Sequence, residues 1–291
     1  MDYGLCLPNF RAGASREGME AAAEVLERLG WSTVWTTDHV LVPTDDADDY
    51  GRIYEAILSL AWIGARYAKV RLGTSVIVVP QRNAVLLAKE LATLDDLTDG
   101  RVIAGVGIGW NETEFANVGM ADRFRVRGAY LDETIAVWRH LWSGSTEPFQ
   151  GRFHSFDDFA FAPLPRRGAA LPIVVGGRAE PALKRAGRLG DGYQSSASSA
   201  AKYADRVPII RTAAEAAGRP MPWLTVRAWT EFGAPTAQHY AIRGTPEEMA
   251  AEVRAFETLG VGHVALWFDT TDPTELVALV ERFDREVAPL V

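Results

Sequence analysis

Val70-Arg71-Leu72-Gly73-Thr74-Ser75-Val76-Ile77-Val78-Val79 is followed by a helix-like stretch from Ala84 to Leu97, by the pair Asp99-Gly100, and by a second apolar run, Arg101-Val102-Ile103-Ala104-Gly105-Val106. The first run is rich in β-branched residues, which suit a pleated, packed surface. Asp99-Gly100 signals a helix end, because glycine accepts the left-handed conformation that closes a helix. Strand, helix and strand in one such span predict two parallel strands bridged by a crossover helix.

The same unit recurs in both directions. Upstream, Tyr3 to Leu7 predicts strand one with a helix over Arg16 to Leu29, and Thr33 to Thr36 predicts strand two with a helix over Tyr54 to Tyr67. Downstream, strand four at Arg101 to Val106 is served by a long helix from about Arg127 to Trp142. Strand five covers Pro172 to Val175 with a helix at Glu180 to Leu189, and strand six covers Gly192 to Ser195 with a helix at Ala200 to Ala217. Strand seven is Leu224 to Trp229, and strand eight is His263 to Phe268 with a closing helix from Pro273 to Val287. The helix after strand seven opens at Thr245-Pro246-Glu247-Glu248, which offers an N-cap Thr, a first-turn Pro and a Glu three residues after the cap. Eight strands and eight helices predict an α/β fold of the (β/α)8 TIM-barrel class, since an open doubly wound sheet usually has fewer units. Residues Ser143 to Leu171 break the rhythm with a hairpin-like Phe149-Gln150-Gly151-Arg152-Phe153, Pro163 and Pro165. They read as an insertion between units four and five of one domain spanning 1–291.

The chain of 291 residues is the length of one such barrel with insertions. A formal net charge of −8 repels nucleic acid, and the one basic run, Arg123-Phe124-Arg125-Val126-Arg127, reads as solvated or as an anion contact. The single cysteine, Cys6, forbids an intramolecular disulfide and sits in an apolar run as a buried thiol. No stretch approaches the roughly 20 apolar residues that span a bilayer, and Met1-Asp2-Tyr3 lacks the start of a signal peptide. A cytoplasmic protein with no membrane or nucleic-acid partner is the expectation. Trp31, Trp35, Trp62 and Trp138 fall at apolar positions and read as packing.

In such barrels the chemistry lies where strands run into their following loops. Strand one ends in Pro8-Asn9-Phe10, where Asn9 and Phe10 either line a substrate pocket or make a turn with a packed ring. Strand two ends in Asp38-His39, a carboxylate and imidazole that can hold a proton or orient a polar heterocycle; the bland alternative is a cap and a surface histidine. In strand three the small residues before the β-branched run would let a planar ring lie against the backbone. Strand four continues into Gly105-Val106-Gly107-Ile108-Gly109-Trp110-Asn111-Glu112. That spacing differs from the dinucleotide fingerprint, and no helix is expected to open directly there. Gly107 then clears space beside a cofactor, with Asn111 or Glu112 at its rim. Strand five ends in Gly176-Gly177-Arg178 before a helix, and strand six in Ser195-Ser196. Free amides at a helix start plus an Arg make an anion site, or else an ordinary tight turn. No cluster has metal-ligand spacing, and no nucleophile elbow is present.

These residues in order resemble the bacterial luciferase-like superfamily, in its branch of deazaflavin (coenzyme F420)-dependent oxidoreductases. The motifs are Val34-Trp35-Thr36-Thr37-Asp38-His39, Arg71-Leu72-Gly73-Thr74-Ser75-Val76, Leu87-Ala88-Lys89-Glu90-Leu91-Ala92-Thr93-Leu94-Asp95, Gly105-Val106-Gly107-Ile108-Gly109-Trp110 and Gly190-Asp191-Gly192. The resemblance covers Tyr3 to about Phe283. It implies the barrel, the insertion and a homodimer through the second and third helices. It also implies a cis peptide at Ser75-Val76 as a backstop behind the cofactor ring, Asp38 and His39 near ring and substrate, and phosphate contacts from Gly176, Gly177, Arg178 and Ser195. Trp110-Asn111-Glu112 matches only loosely the carboxylate region of the sugar-phosphate dehydrogenase relatives.

Three functions are therefore carried forward. The first is a deazaflavin-dependent oxidoreductase acting on a small molecule, with His39 as proton donor or acceptor tuned by Asp38. The second is an FMN-dependent monooxygenase fed by a partner reductase. The third is a non-catalytic flavin-binding protein.

Overall fold

The computed structural model describes residues 1–233 and 240–291. Eight strands are parallel and close on themselves. They are β1 (Asp2–Cys6), β2 (Thr33–Thr36), β3 (Arg71–Thr74, resumed at Ile77–Val78), β4 (Val102–Gly107), β5 (Ile173–Gly176), β6 (Gly192–Ser196), β7 (Trp223–Phe232) and β8 (Val261–Trp267). Closure is made by β8 against β1, where Asp2 to Leu5 pair with His263 to Leu266 in order. The outer ring holds α1 (Arg16–Leu29), α2 (Ala56–Gly64), α3 (Ala84–Leu97), α4 (Arg127–Trp142), α5 (Glu180–Leu189), α6 (Val207–Ala216), α7 (Pro246–Thr258) and α8 (Pro273–Glu286). The expected barrel is the observed one.

Local chemistry explains the boundaries. Ser15 accepts from the Gly18 amide to start α1, and Gly30 at φ 76° closes it. Thr245 and Glu248 form the anticipated reciprocal cap of α7. Asp99 and Gly100 both take positive φ after α3. Between β4 and β5, Phe149–Gln150 pairs with Ser155–Phe156 as an antiparallel hairpin, and Glu133 of α4 accepts the amides of Arg152, Phe153 and His154.

The barrel lumen is packed, not open. Trp35 of β2 is fully buried across it, and the absence of a side chain at Gly73 makes that possible: a Cβ there would stand 2.4 Å from the indole. Trp35 Nε1 donates to His263 Nε2 at 3.0 Å, so the His263 proton sits on Nδ1, 3.0 Å from Asp2 Oδ2. Outside the sheet, Trp138 and Trp142 of α4 donate to the Ala84 and Ala88 carbonyls of α3. Truncating either indole to Ala would cost about 3–5 kcal/mol. Trp62 departs from the packing expectation: it is partly exposed beneath the Arg66 guanidinium.

Four boundaries differ from the sequence reading. Strand three is interrupted at Ser75-Val76, where the peptide is cis. The helix after strand six splits into Ala200–Ala204 and α6, because Pro208 in the first turn of α6 has no amide with which to continue the earlier helix. β7 runs on to Phe232, paired with an unforeseen parallel strand at Ala241–Gly244. A short helix, Glu112–Asn117, does open after the glycines of β4.

Candidate active site

The C-terminal ends of the strands surround a cavity of about 560 Å³. Of the residues singled out in the sequence, Phe10, Asp38, His39, Ser75, Val76, Gly107, Gly176, Gly177 and Arg178 line it. Asn9, Asn111, Glu112 and Ser195 do not.

Each of those four has a structural reason. Asn9 is fully buried beneath the floor, where its amide donates to the Thr37 and Tyr54 carbonyls and its oxygen accepts from the Thr37 amide. Asn111 caps the Glu112–Asn117 helix through the Glu114 amide and reaches Asp46 with its own N–H. Glu112, in the first turn of that helix, is solvent-exposed. Ser195 belongs to the outward phase of β6, where its hydroxyl donates to Ser198 and accepts from Arg206; the alternation brings Gln194 and Ser196 inward instead.

The floor is built around Ser75 and Val76. Arg227 of β7 donates from Nη1 to the Ser75 carbonyl at 2.6 Å and from Nη2 to the Thr37 hydroxyl at 2.8 Å. The Ser75 hydroxyl donates to the Gln194 side chain. Three strands thus hold one peptide unit. The Val76 side chain packs against Gly107 of β4 and Gly176 of β5: a Cβ on Gly107 would lie 2.4 Å, and one on Gly176 2.5 Å, from its methyls. These two glycines make room for Val76, a nearer cause than space for a ligand.

Asp38 and His39 have separate partners, which corrects the expectation that one tunes the other. Asp38, fully buried, accepts from the Val78 amide at 2.8 Å and from Arg82 at 2.6 Å. Arg82 also reaches Glu55 at 2.9 Å. Burial works to lower the Arg82 pKa, but the two carboxylates more than offset it and hold the value above the ordinary one. Asp38 therefore pins the chain just beyond the Ser75-Val76 break.

His39 pairs with Glu114. Its Nδ1 lies 2.9 Å from Glu114 Oε2, while Oε1 of that carboxylate accepts from the Val40 amide at 2.7 Å. Burial of Glu114 pushes its pKa up, yet the His39 and Val40 hydrogen bonds outweigh burial and bring it below the usual carboxylate range. An ionised carboxylate only accepts, so Nδ1 carries the proton. Nε2 has no hydrogen-bond partner among the described residues, and the Tyr50 ring lies 4.2 Å from the imidazole, centre to centre. The arrangement can take up or deliver one proton at Nε2.

At the opposite end, α5 starts behind Arg178. Its N-cap is Ala179, which offers no side chain to the first-turn amides. Pro181 has no amide and the Ala182 amide donates to the Ala179 carbonyl, so the Glu180 amide and the exposed Arg178 are the donors left to suit an anion.

Sequence reasoning missed Glu114 and Arg227. Asn111 followed three residues later by Glu114 has the spacing of a capping pair and could have located the short helix. Arg227 falls in the inward phase of β7 with Thr225 and Trp229, and a cation at an inward position near a strand end is itself a signal.

Residues 1–259 match the family model described as luciferase-like monooxygenase. The F420-dependent glucose-6-phosphate dehydrogenase of Kineococcus radiotolerans is 31% identical over 279 residues, covering 88% of this chain and 80% of that protein. The enzyme of the same name from Mycolicibacterium fortuitum is 30% identical over 298 residues, covering 93% and 85%. Among solved structures, an F420-dependent secondary alcohol dehydrogenase in complex with an F420-acetone adduct superposes with a TM-score of 0.82 at 21% identity, covering 100% of this chain and 98% of that one. An FMN-bound type II Baeyer-Villiger monooxygenase from Pseudomonas putida gives 0.82 at 16% identity, covering 100% and 98%. With a barrel of this design and a family match over most of its length, the chain belongs to the luciferase-like monooxygenase family.

Proposed function

We propose that this chain is an oxidoreductase that uses a deazaflavin, coenzyme F420, to move a hydride to or from a small organic substrate. One observation carries the reading: a single cavity joins the His39–Glu114 dyad to the peptide floor at Ser75-Val76 and to the anion-ready start of α5 at Arg178. The relatives named as F420-dependent, at 31% and 30% identity, support the choice of cofactor.

The residues present fit such a group. A cavity of about 560 Å³ falls within the roughly 300–1,000 Å³ usual for small-molecule sites. Val76, Val78 and Ile108 give it apolar walls, and the α5 start with Arg178 suits a phosphate. When bound, the deazaflavin supplies the hydride, without the oxygen adduct that flavins form. The protein does the rest. In the reducing direction a substrate carbonyl takes the hydride on carbon and a proton from His39 on oxygen. In the oxidising direction His39 accepts the hydroxyl proton as the hydride leaves. Glu114 fixes the imidazole tautomer and stabilises the ring when it holds both protons. Reduction needs a separate reductase to supply reduced cofactor. The reading also includes a homodimer across α2 and α3, where Leu58 and Leu86 are exposed; sedimentation of the purified protein tests it.

Titration with oxidised and reduced forms of coenzyme F420 and of FMN decides the cofactor. F420 is expected to bind at least about tenfold more tightly, a difference near 1.4 kcal/mol. Binding of FMN alone moves the reading to an FMN-dependent monooxygenase, and binding of neither overturns both. With F420 bound, His39→Ala should lower turnover by about 10²–10⁴-fold, the usual reach of a general acid or base, with cofactor affinity unchanged. Unchanged turnover would remove His39 from the chemistry.

A further inference from the structure

Beyond the cofactor, the cavity mouth has a chemistry of its own. Trp110 is 56% exposed at the lip, which leaves much of a large apolar ring open to solvent. Its ring lies 6.0 Å from His39 and 6.3 Å from Tyr50, centre to centre. Tyr50 stacks on Phe10 at 6.0 Å, and Trp229 also lines the cavity. Val40 and Leu41, immediately after His39, are likewise more than half exposed. Aromatic faces and aliphatic groups therefore surround the proton-handling imidazole.

The charges are arranged against anions. The segment that delivers Tyr50 carries Asp45, Asp46, Asp48 and Asp49, and Arg11 beside it is already paired with Asp49 at 2.9 Å and lies near Asp269. Deeper in, Arg82 is neutralised by Asp38 and Glu55. Arg178 stands at the end suited to the cofactor phosphate. Arg227 remains on the floor, held by a carbonyl and a hydroxyl, with no carboxylate among its bonded partners. A phosphorylated sugar would approach beside a segment bearing four carboxylates, and among the described residues the cavity lining offers it only Arg227 on the floor and Arg178 at the end suited to the cofactor phosphate. A cationic substrate would be drawn by the rim but would face Arg227.

We infer that the substrate is an uncharged, ring-bearing alcohol or ketone, seated against Trp110 and Tyr50 with its oxygen at His39. The inference rests on the redox reading for the chemistry: the alcohol carbon gives its hydride to oxidised deazaflavin and its hydroxyl proton to His39, leaving the ketone and the reduced cofactor. The fit to the aromatic mouth stands on the chain alone.

The test uses cyclohexanol, cyclohexanone and glucose 6-phosphate. In cofactor-free protein, cyclohexanone should quench tryptophan emission saturably and glucose 6-phosphate should not. With oxidised coenzyme F420 bound, cyclohexanol should be oxidised and glucose 6-phosphate should be neither oxidised nor inhibitory. Trp110→Ala should raise the KM for cyclohexanol about tenfold, as expected when a partly buried ring contact is removed. Trp110→Phe should recover most of the KM. Turnover of glucose 6-phosphate in preference to cyclohexanol overturns the inference, as does a KM indifferent to Trp110→Ala. Failure of cofactor binding with ligand quenching intact counts against the redox reading and leaves the substrate class standing.

Discussion

Glu114 Oε2 meets His39 Nδ1 at 2.9 Å, across 75 residues of chain, and its other oxygen takes the amide of the very next residue, Val40. The carboxylate therefore fixes both the ring and the backbone that carries it. Glu114→Gln keeps the shape but removes the charge. If the amide oxygen stays on Val40, an N–H faces His39 Nδ1 and drives the imidazole proton to Nε2. In the Ser-His-Asp triad a carboxylate-to-amide change that inverts the tautomer in this way lowers turnover by about 10⁴-fold, and a loss approaching that is expected here. Cofactor affinity should not move, and a variant with wild-type kcat would show that Glu114 only packs.

The same residue makes a stability prediction with a definite sign. The Glu114 pKa is lowered in the folded chain, so its contribution is fully present above the ordinary glutamate value of about 4.3 and is lost as pH falls through the folded value. Urea unfolding should show a wild-type advantage over Glu114→Gln of about 1–3 kcal/mol near neutral pH, the range for hydrogen bonds to a charged group. That advantage should shrink in acid, as pH falls below the ordinary glutamate value and on through the lower folded one. An advantage that grows in acid contradicts the assignment.

Gly107 and Val76 are predicted to be coupled. A Cβ at Gly107 would collide with a Val76 methyl at 2.4 Å, and Val76 belongs to the peptide that floors the cavity. Gly107→Ala alone should weaken F420 binding and cost about 1–3 kcal/mol of stability through overpacking. Adding Val76→Ala makes room and should recover part of both losses, a double-mutant interaction of about 0.5–3 kcal/mol. Strict additivity would mean that the two side chains do not meet.

Asp38 is predicted to act through position. Its carboxylate is buried against the Arg82 guanidinium and the Val78 amide. Asp38→Asn leaves Arg82 with Glu55 as its only carboxylate partner among the described residues. Breaking one side of a buried pair costs about 3–5 kcal/mol, and the surviving Glu55 contact should keep the loss near the lower end. The urea midpoint should fall accordingly; a loss under about 0.5 kcal/mol would put the ion pair outside the stability of the fold.

The barrel was legible because its signals are local. Apolar runs, the Asp99-Gly100 terminator and the Thr245 cap each need only a few neighbouring residues, and their repetition determines the architecture. The strand ends at Asp38-His39 and Gly176-Gly177-Arg178 were legible for the same reason. Partners were not. Ser75 and Arg227 are 152 residues apart, and only barrel closure brings them together. Adjacency in sequence suggested that Asp38 serves His39, but their side chains take separate partners and the carboxylate at the ring comes from the next βα loop but one. Ser195 was misread in phase: a shift of one residue along a strand exchanges inside for outside.

Below the site, the Asp2–His263–Trp35 chain of hydrogen bonds offers a last test. Burial pushes the His263 pKa down, and the Asp2 hydrogen bond opposes that only in part. A histidine with a depressed folded pKa leaves the fold most stable above its unfolded value of about 6.5, because below that pH the unfolded chain binds a proton that the folded ring refuses. Wild type should therefore lose stability between about pH 6.5 and pH 5 by up to about 1.4 kcal/mol per pH unit for this group. His263→Gln keeps an acceptor for Trp35 and a donor for Asp2 but does not titrate. It should lower stability near neutral pH by about 1–3 kcal/mol through altered packing and hydrogen bonding. Its curve should also be flatter across this window, since every other titrating group is common to both proteins. Parallel curves from paired urea melts at the two ends of the window would mean that His263 accepts its proton in the folded barrel, and that the indole of Trp35 has another partner in solution.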